Sequence, residues 1–181
     1  MRAQTVYENI EFQRGRDPKE VLGIGKRVQI KQWFEEWVPW IEYEIDDDLN
    51  VYVEDCLDLE NTNVTSLPDN LKVDEYLDLE NTKITSLPNN LKVKDFLNLE
   101  NTKITSLPDN LKVRGSLYLR GTNITSLPDD LEVGGSLFLR DTLLTSLPDN
   151  LKVGENLFLI ATKITSLPDD LEVVGKIYKD F

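Results

Sequence analysis

Leu117–Ser136 reads LYLRGTNITSLPDDLEVGGS, and the frame it sets, Leu-x-Leu-x-x-Thr-x-Ile-Thr-Ser-Leu-Pro, also opens at Leu57, Leu77, Leu97, Leu137 and Leu157. Six copies at a fixed step of twenty residues mark a stacked-repeat architecture, in which each unit covers its apolar side only against its neighbours. Within the stretch, Leu117 and Leu119 alternate with Tyr118 and Arg120, the period of a short strand with one buried face. Thr122, Ile124 and Leu127 follow at intervals too irregular for strand or helix and suit a turning arc. Pro128 removes a backbone donor, Asp129 and Asp130 make a polar turn, and Leu131 and Val133 return inward. Twenty residues leave no room for a helix, so the side opposite the strand is expected to be extended or 3₁₀.

The run Leu-x-x-Thr-x-Ile-Thr-Ser-Leu-Pro resembles the short bacterial type of leucine-rich repeat, familiar from secreted effectors of enteric pathogens. The resemblance covers Leu57 to about Gly175. It implies a leucine-rich-repeat solenoid, with a parallel β-sheet on the concave face, an extended or 3₁₀ convex side, and a small α-helical N-terminal cap. Where the family carries asparagine, this chain carries Thr62, Thr82, Thr102, Thr122, Thr142 and Thr162. The family's side chain bonds buried backbone at the bend. A hydroxyl has one donor where an amide has two, so the corresponding network is expected to be thinner. The effectors often carry a ubiquitin-ligase domain after their repeats, for which a chain ending at Phe181 has no room.

Three segments are expected: 1–56 as tail, cap helix and opening strands, 57–176 as six repeats, and 177–181 as a truncated seventh strand. Asp17-Pro18 reads as the start of a short helix that Gly23 and Gly25 stop. A second helix is expected from Arg27 to Val38, with Val28, Ile30, Trp33, Phe34, Trp37 and Val38 on one side, covering the raw face of the first coil. Tyr43–Val53 reads as strand, turn, strand, with Val51 and Val53 one period before Leu71 and Val73. The segment Glu8–Gly25 resembles the N-terminus of proteins encoded by tailed bacteriophages and prophages, which implies a phage or bacterial origin.

The formal net charge of −13 argues against a nucleic-acid partner and against an anionic membrane, and leaves a basic protein open. Gln32–Glu60 alone holds eleven acids and no base. No apolar run approaches the ~20 residues of a membrane span, and Met1–Phe12 lacks the apolar core of a secretory signal. Cys56 is the single cysteine, so a reducing setting, the bacterial cytoplasm, is expected. With no histidine, a serine confined to Thr-Ser-Leu-Pro bends, and Gly23-Ile24-Gly25-Lys26 lacking phosphate-loop spacing, neither catalysis nor a cofactor is expected. Asp46-Asp47-Asp48 lacks the spacing of a calcium loop and reads as a solvated turn, and Cys56 has no activating base.

Near-identity of the copies makes the variable columns informative. The residue between the two strand leucines runs Asp58, Asp78, Asn98, Tyr118, Phe138, Phe158, and two places on the column runs Glu60, Glu80, Glu100, Arg120, Arg140, Ile160. The first half of the sheet is thus a carboxylate field and the second an aromatic ladder beside two arginines. Aromatic residues and arginine dominate binding hot spots, although stacked aromatics also stabilise a sheet by themselves. The leading expectation is a non-enzymatic protein-binding module using Tyr118, Phe138, Phe158, Arg120 and Arg140, with Asp58, Glu60, Asp78, Glu80 and Glu100 steering a basic partner. The alternatives are an acidic decoy of nucleic acid acting on a DNA-binding protein, and a structural part of a larger assembly. At the end, Lys179 stands where the seventh coil needs its second leucine, which either blunts the sheet edge or leaves it to pair with a second copy as a dimer.

Overall fold

The computed structural model describes residues 18–181, so the expected capping residue Asp17 lies outside the described residues. Among the described residues the one helix, α1, spans Pro18–Trp37. Each coil then contributes two short strands where the sequence pattern announced one. The first set is β1 (Glu44–Ile45), β2 (Val51–Val53), β4 (Leu71–Val73), β6 (Lys92–Val93), β8 (Lys112–Val113), β10 (Glu132–Val133), β12 (Lys152–Val153) and β14 (Glu172–Val173), hydrogen-bonded in that order as an eight-stranded sheet. The second set is β3 (Leu57–Asp58), β5 (Leu77–Asp78), β7 (Leu97–Asn98), β9 (Leu117–Tyr118), β11 (Leu137–Phe138), β13 (Leu157–Phe158) and β15 (Ile177–Tyr178), a seven-stranded sheet. The described residues form a parallel β-solenoid preceded by the helix α1.

Register follows the repeat without slippage: Leu57 faces Leu77, Leu77 faces Leu97, and so on to Leu157 facing Ile177. Among the described residues only β1 and β2 are antiparallel, closing the hairpin expected at Tyr43–Val53. The second sheet arises because Leu-x-Val (Leu71-Lys72-Val73) is itself an alternating triplet whose amides must find partners one coil away. The remaining side of each coil forms neither helix nor strand and is broken by a turn after the proline; no 3₁₀ helix occurs among the described residues, which corrects that alternative. In the coil opening at Leu117, Leu117, Leu119, Thr122, Ile124, Leu127, Leu131 and Val133 are all buried.

The threonine column is inward and satisfied. Each hydroxyl donates to the carbonyl of the leucine three residues earlier, from Thr62 to Leu59 through Thr162 to Leu159, at 2.7–2.8 Å. The bond therefore stays within its own coil. A separate ladder joins coils one position earlier: Asn81 donates to Asn61 at 3.0 Å and Asn101 to Asn81 at 3.1 Å.

The expected break at Gly23 and Gly25 does not occur; both glycines lie inside α1. Each costs about 1 kcal/mol relative to alanine, and burial of Ile30, Phe34 and Val38 against the first coil offsets this. Val28, by contrast, is exposed and takes no part in that face. The Phe34 ring stacks on Tyr43 at 3.8 Å, and the Trp33 indole donates to the Ser66 carbonyl at 2.8 Å. Arg27 donates to the carbonyls of Ile45 and Asp46, at 2.7 Å each, latching the helix to the hairpin. Trp40, 73% exposed, lies off the cap. In the hairpin turn, Asp46 accepts from the backbone of Asp48 and Asn50 and from the side chains of Asn50 and Tyr52. The acidic triplet is thus a turn organised by its first member.

Candidate partner-binding face

The outward residues of the seven-stranded sheet form three columns, because side chains alternate across a strand. The middle column is Asp58, Asp78, Asn98, Tyr118, Phe138, Phe158, Tyr178, the column after it begins at Glu60, and the column before it begins at Cys56. All ten residues singled out above therefore share one face.

In the first rows, middle-column side chains fold back on their own backbone. Asp58 accepts from the Glu60 amide, Asp78 from the Glu80 amide and Asn98 from the Glu100 amide, at 2.9–3.0 Å. Asn98 also donates to Asp78 and to Glu80, at 3.2 Å each. Burial holds the Asp78 carboxyl above its usual range, and Asp58 and Glu80 add to the shift. Glu100 is raised by burial and by Glu80, with Arg120 pulling the other way. These carboxylates are underneutralised.

In the later rows the rings form one stack. Tyr118, Phe138, Phe158 and Tyr178 lie 4.5–4.6 Å apart with planes within 6°. Two rings from the column before, Tyr76 and Phe96, are stacked at 4.6 Å, and Phe96 meets Tyr118 edge-on at 5.9 Å. The ridge thus has six rings and steps sideways by one column at Phe96. Tyr178 continues the middle column one coil beyond Phe158, and Tyr76 and Phe96 are the members that reading the middle column alone misses. Aligning the column Cys56, Tyr76, Phe96 beside it is the signal that reveals them. Contact with the Cys56 thiol is the main cause pushing the Tyr76 phenol up to about 12.

Because neighbouring rings occupy one another's faces, the ridge offers edges and not flat platforms. It suits an apolar, shape-matched surface better than a stacked base or sugar. Arg120 and Arg140 flank it and share Asp141, at 3.7 and 3.3 Å. Both remain more than half exposed, so the guanidinium forks stay open to a partner. At the end of the stack Tyr178 is 40% exposed, and Lys179 is exposed, its ammonium lying 4.4 Å over the Phe181 ring.

Among the described residues, no group of three or more His, Cys, Asp or Glu side chains is placed to hold a metal ion, and no helix is long and apolar enough to cross a membrane. No protein-family model matches the chain, and a search of curated proteins finds no match.

Proposed function

We propose that this protein is a non-enzymatic protein-binding module on the leucine-rich-repeat plan, of bacterial or phage origin and acting in the cytoplasm. It would grip its partner on the outward, concave face of the seven-stranded sheet. The observation that carries this reading is the six-ring ridge flanked by Arg120 and Arg140, which joins the residue types of binding hot spots on one side of a rigid sheet. Tyr118, Phe138 and Phe158 anchor, the arginines give direction to polar contacts, and Asp58, Glu60, Asp78, Glu80 and Glu100 steer a basic surface during encounter.

The test is capture from bacterial lysate by the full chain and by two variants. Arg120→Glu/Arg140→Glu leaves the ring stack in place, and Phe138→Ala/Phe158→Ala removes its centre. Both should lose the specific partner while keeping a native circular dichroism spectrum; undiminished capture by both sinks this site. A second reading, an acidic decoy of nucleic acid, draws support from the underneutralised carboxylates at Asp78 and Glu100. It requires binding that weakens steeply with salt and ignores loss of the rings.

A further inference from the structure

The eight-stranded sheet has an outward face of its own, and its rows from Lys72 to Lys112 carry a charge opposite to that of the carboxylate rows just described. Lys72 pairs directly with Lys92, and Lys92 with Lys112. Lys94 and Arg114 stand two residues beyond Lys92 and Lys112, on the same outward side. Lys72 is held by the Tyr52 hydroxyl at 2.9 Å, and Lys94 by Asp74. Lys92, Lys112 and Arg114 are exposed and make no ion pair among the described residues.

Like charges placed directly opposite one another on neighbouring strands destabilise a sheet. The chain avoids this where it has no other use for the positions. Further along the same column the residues are Glu132, Lys152 and Glu172, each facing its opposite, with Lys152 3.5 Å from Glu132. Coils near the N-terminus do the reverse on both sheets at once. They stack lysine on lysine on one face and Asp58 on Asp78 on the other.

We propose that the lysine strip of the eight-stranded sheet docks on the carboxylate rows of a second copy of this chain, side by side with the solenoid axes aligned. Spacing selects this occupant. Lys72, Lys92 and Lys112 recur once per coil, as do Glu60, Glu80 and Glu100, so two copies match charge for charge over three rows on rigid supports. A nucleic acid fits less well, because its phosphates do not follow the ~4.8 Å spacing between neighbouring strands and the chain around the strip is strongly acidic. The contact is heterologous, one face against a different one. The net charge of −13 opposes approach at low salt, but at physiological ionic strength the Debye length is about 8 Å and the facing pairs dominate. The inference rests on the reading above only in treating the carboxylate rows as a receiver of a basic protein surface.

Sedimentation velocity of the full chain tests it at about 150 mM and about 500 mM salt. Self-association is expected at the lower salt and at least ~10-fold weaker at the higher. Lys92→Glu/Lys112→Glu and Glu80→Lys/Glu100→Lys should each weaken it to a similar degree alone, and a mixture of the two should associate again, since reversed faces complement. Phe138→Ala/Phe158→Ala should lose the captured partner and still self-associate, which separates failure of this proposal from failure of the preceding one. A wild-type chain that is monomeric at both salts overturns the proposal, as do reversal variants that associate like wild type. A monomeric chain that binds a glutamate-rich peptide through Lys92 and Lys112 also overturns it and assigns the strip to an acidic partner.

Discussion

At the scale of single residues, the threonine column was legible as an inward, hydrogen-bonding position because it recurs six times beside the strand. Its partner was not, since only the backbone path shows that the hydroxyl returns to the leucine three residues earlier. The column just before it escaped notice because its residues differ: Asn61, Asn81, Asn101, Gly121, Asp141, Ala161. All adopt a left-handed φ of 56–69°. Asparagine, glycine and aspartate tolerate that conformation, and alanine pays about 1–2 kcal/mol for it. Ala161→Asn should therefore raise stability by about 1 kcal/mol in urea unfolding. Gly121→Ala should lower it by at least as much, because the added carbon would also sit 2.6 Å from the Asn101 side-chain oxygen. Equal midpoints for both variants and wild type would contradict this account.

At the scale of elements, the two sheets differ in how visible they were. The seven-stranded sheet is written by Leu-x-Leu pairs, whereas the eight-stranded sheet rests on a Leu-x-Val triplet that reads equally well as a turn returning inward. The helix was misread for a related reason. Two glycines argue for a stop locally, and only the docking of Ile30, Phe34 and Val38 on the first coil outweighs them. On the outward face, Asp78 and Glu100 have folded pKa values raised above those of the unfolded chain, near 4. Such a group destabilises the fold when charged. The cost is absent below the unfolded pKa, accrues as pH rises toward the folded value, and is complete above it. Asp46 has the opposite shift, led by the hydrogen bond from Asn50, so its stabilisation is complete above pH ~4 and lost only as pH falls further. Stability measured by urea midpoint should thus rise as pH is lowered from 7 toward the unfolded carboxyl pKa, about 4. Asp78→Asn should flatten that rise and add about 0.5 kcal/mol at pH 7. A midpoint that falls over the same interval would refute the assignment.

At the scale of the whole molecule, stability is a sum of coils and their interfaces. Inner coils are covered on both sides, and the last is covered on one: Leu131 is 1% exposed, whereas Leu171, at the same position two coils later, is only half-buried. The identical substitution should then cost about 2–5 kcal/mol as Leu131→Ala and well under half of that as Leu171→Ala. Native-state hydrogen exchange should show the amides of the last coil opening first. Costs that match at the two sites would mean that the end is as well covered as the middle. By itself the sequence determined the period, the inward positions, the in-register parallel stacking and the shared face of the carboxylates, rings and arginines, because each follows from a repeat of constant length. Only the tertiary structure decided that each coil carries two strands, that the aromatic ridge steps between columns, and that a lysine strip lies on a second face. These depend on how successive coils superimpose and which columns become neighbours, and a linear pattern does not state the distance between columns.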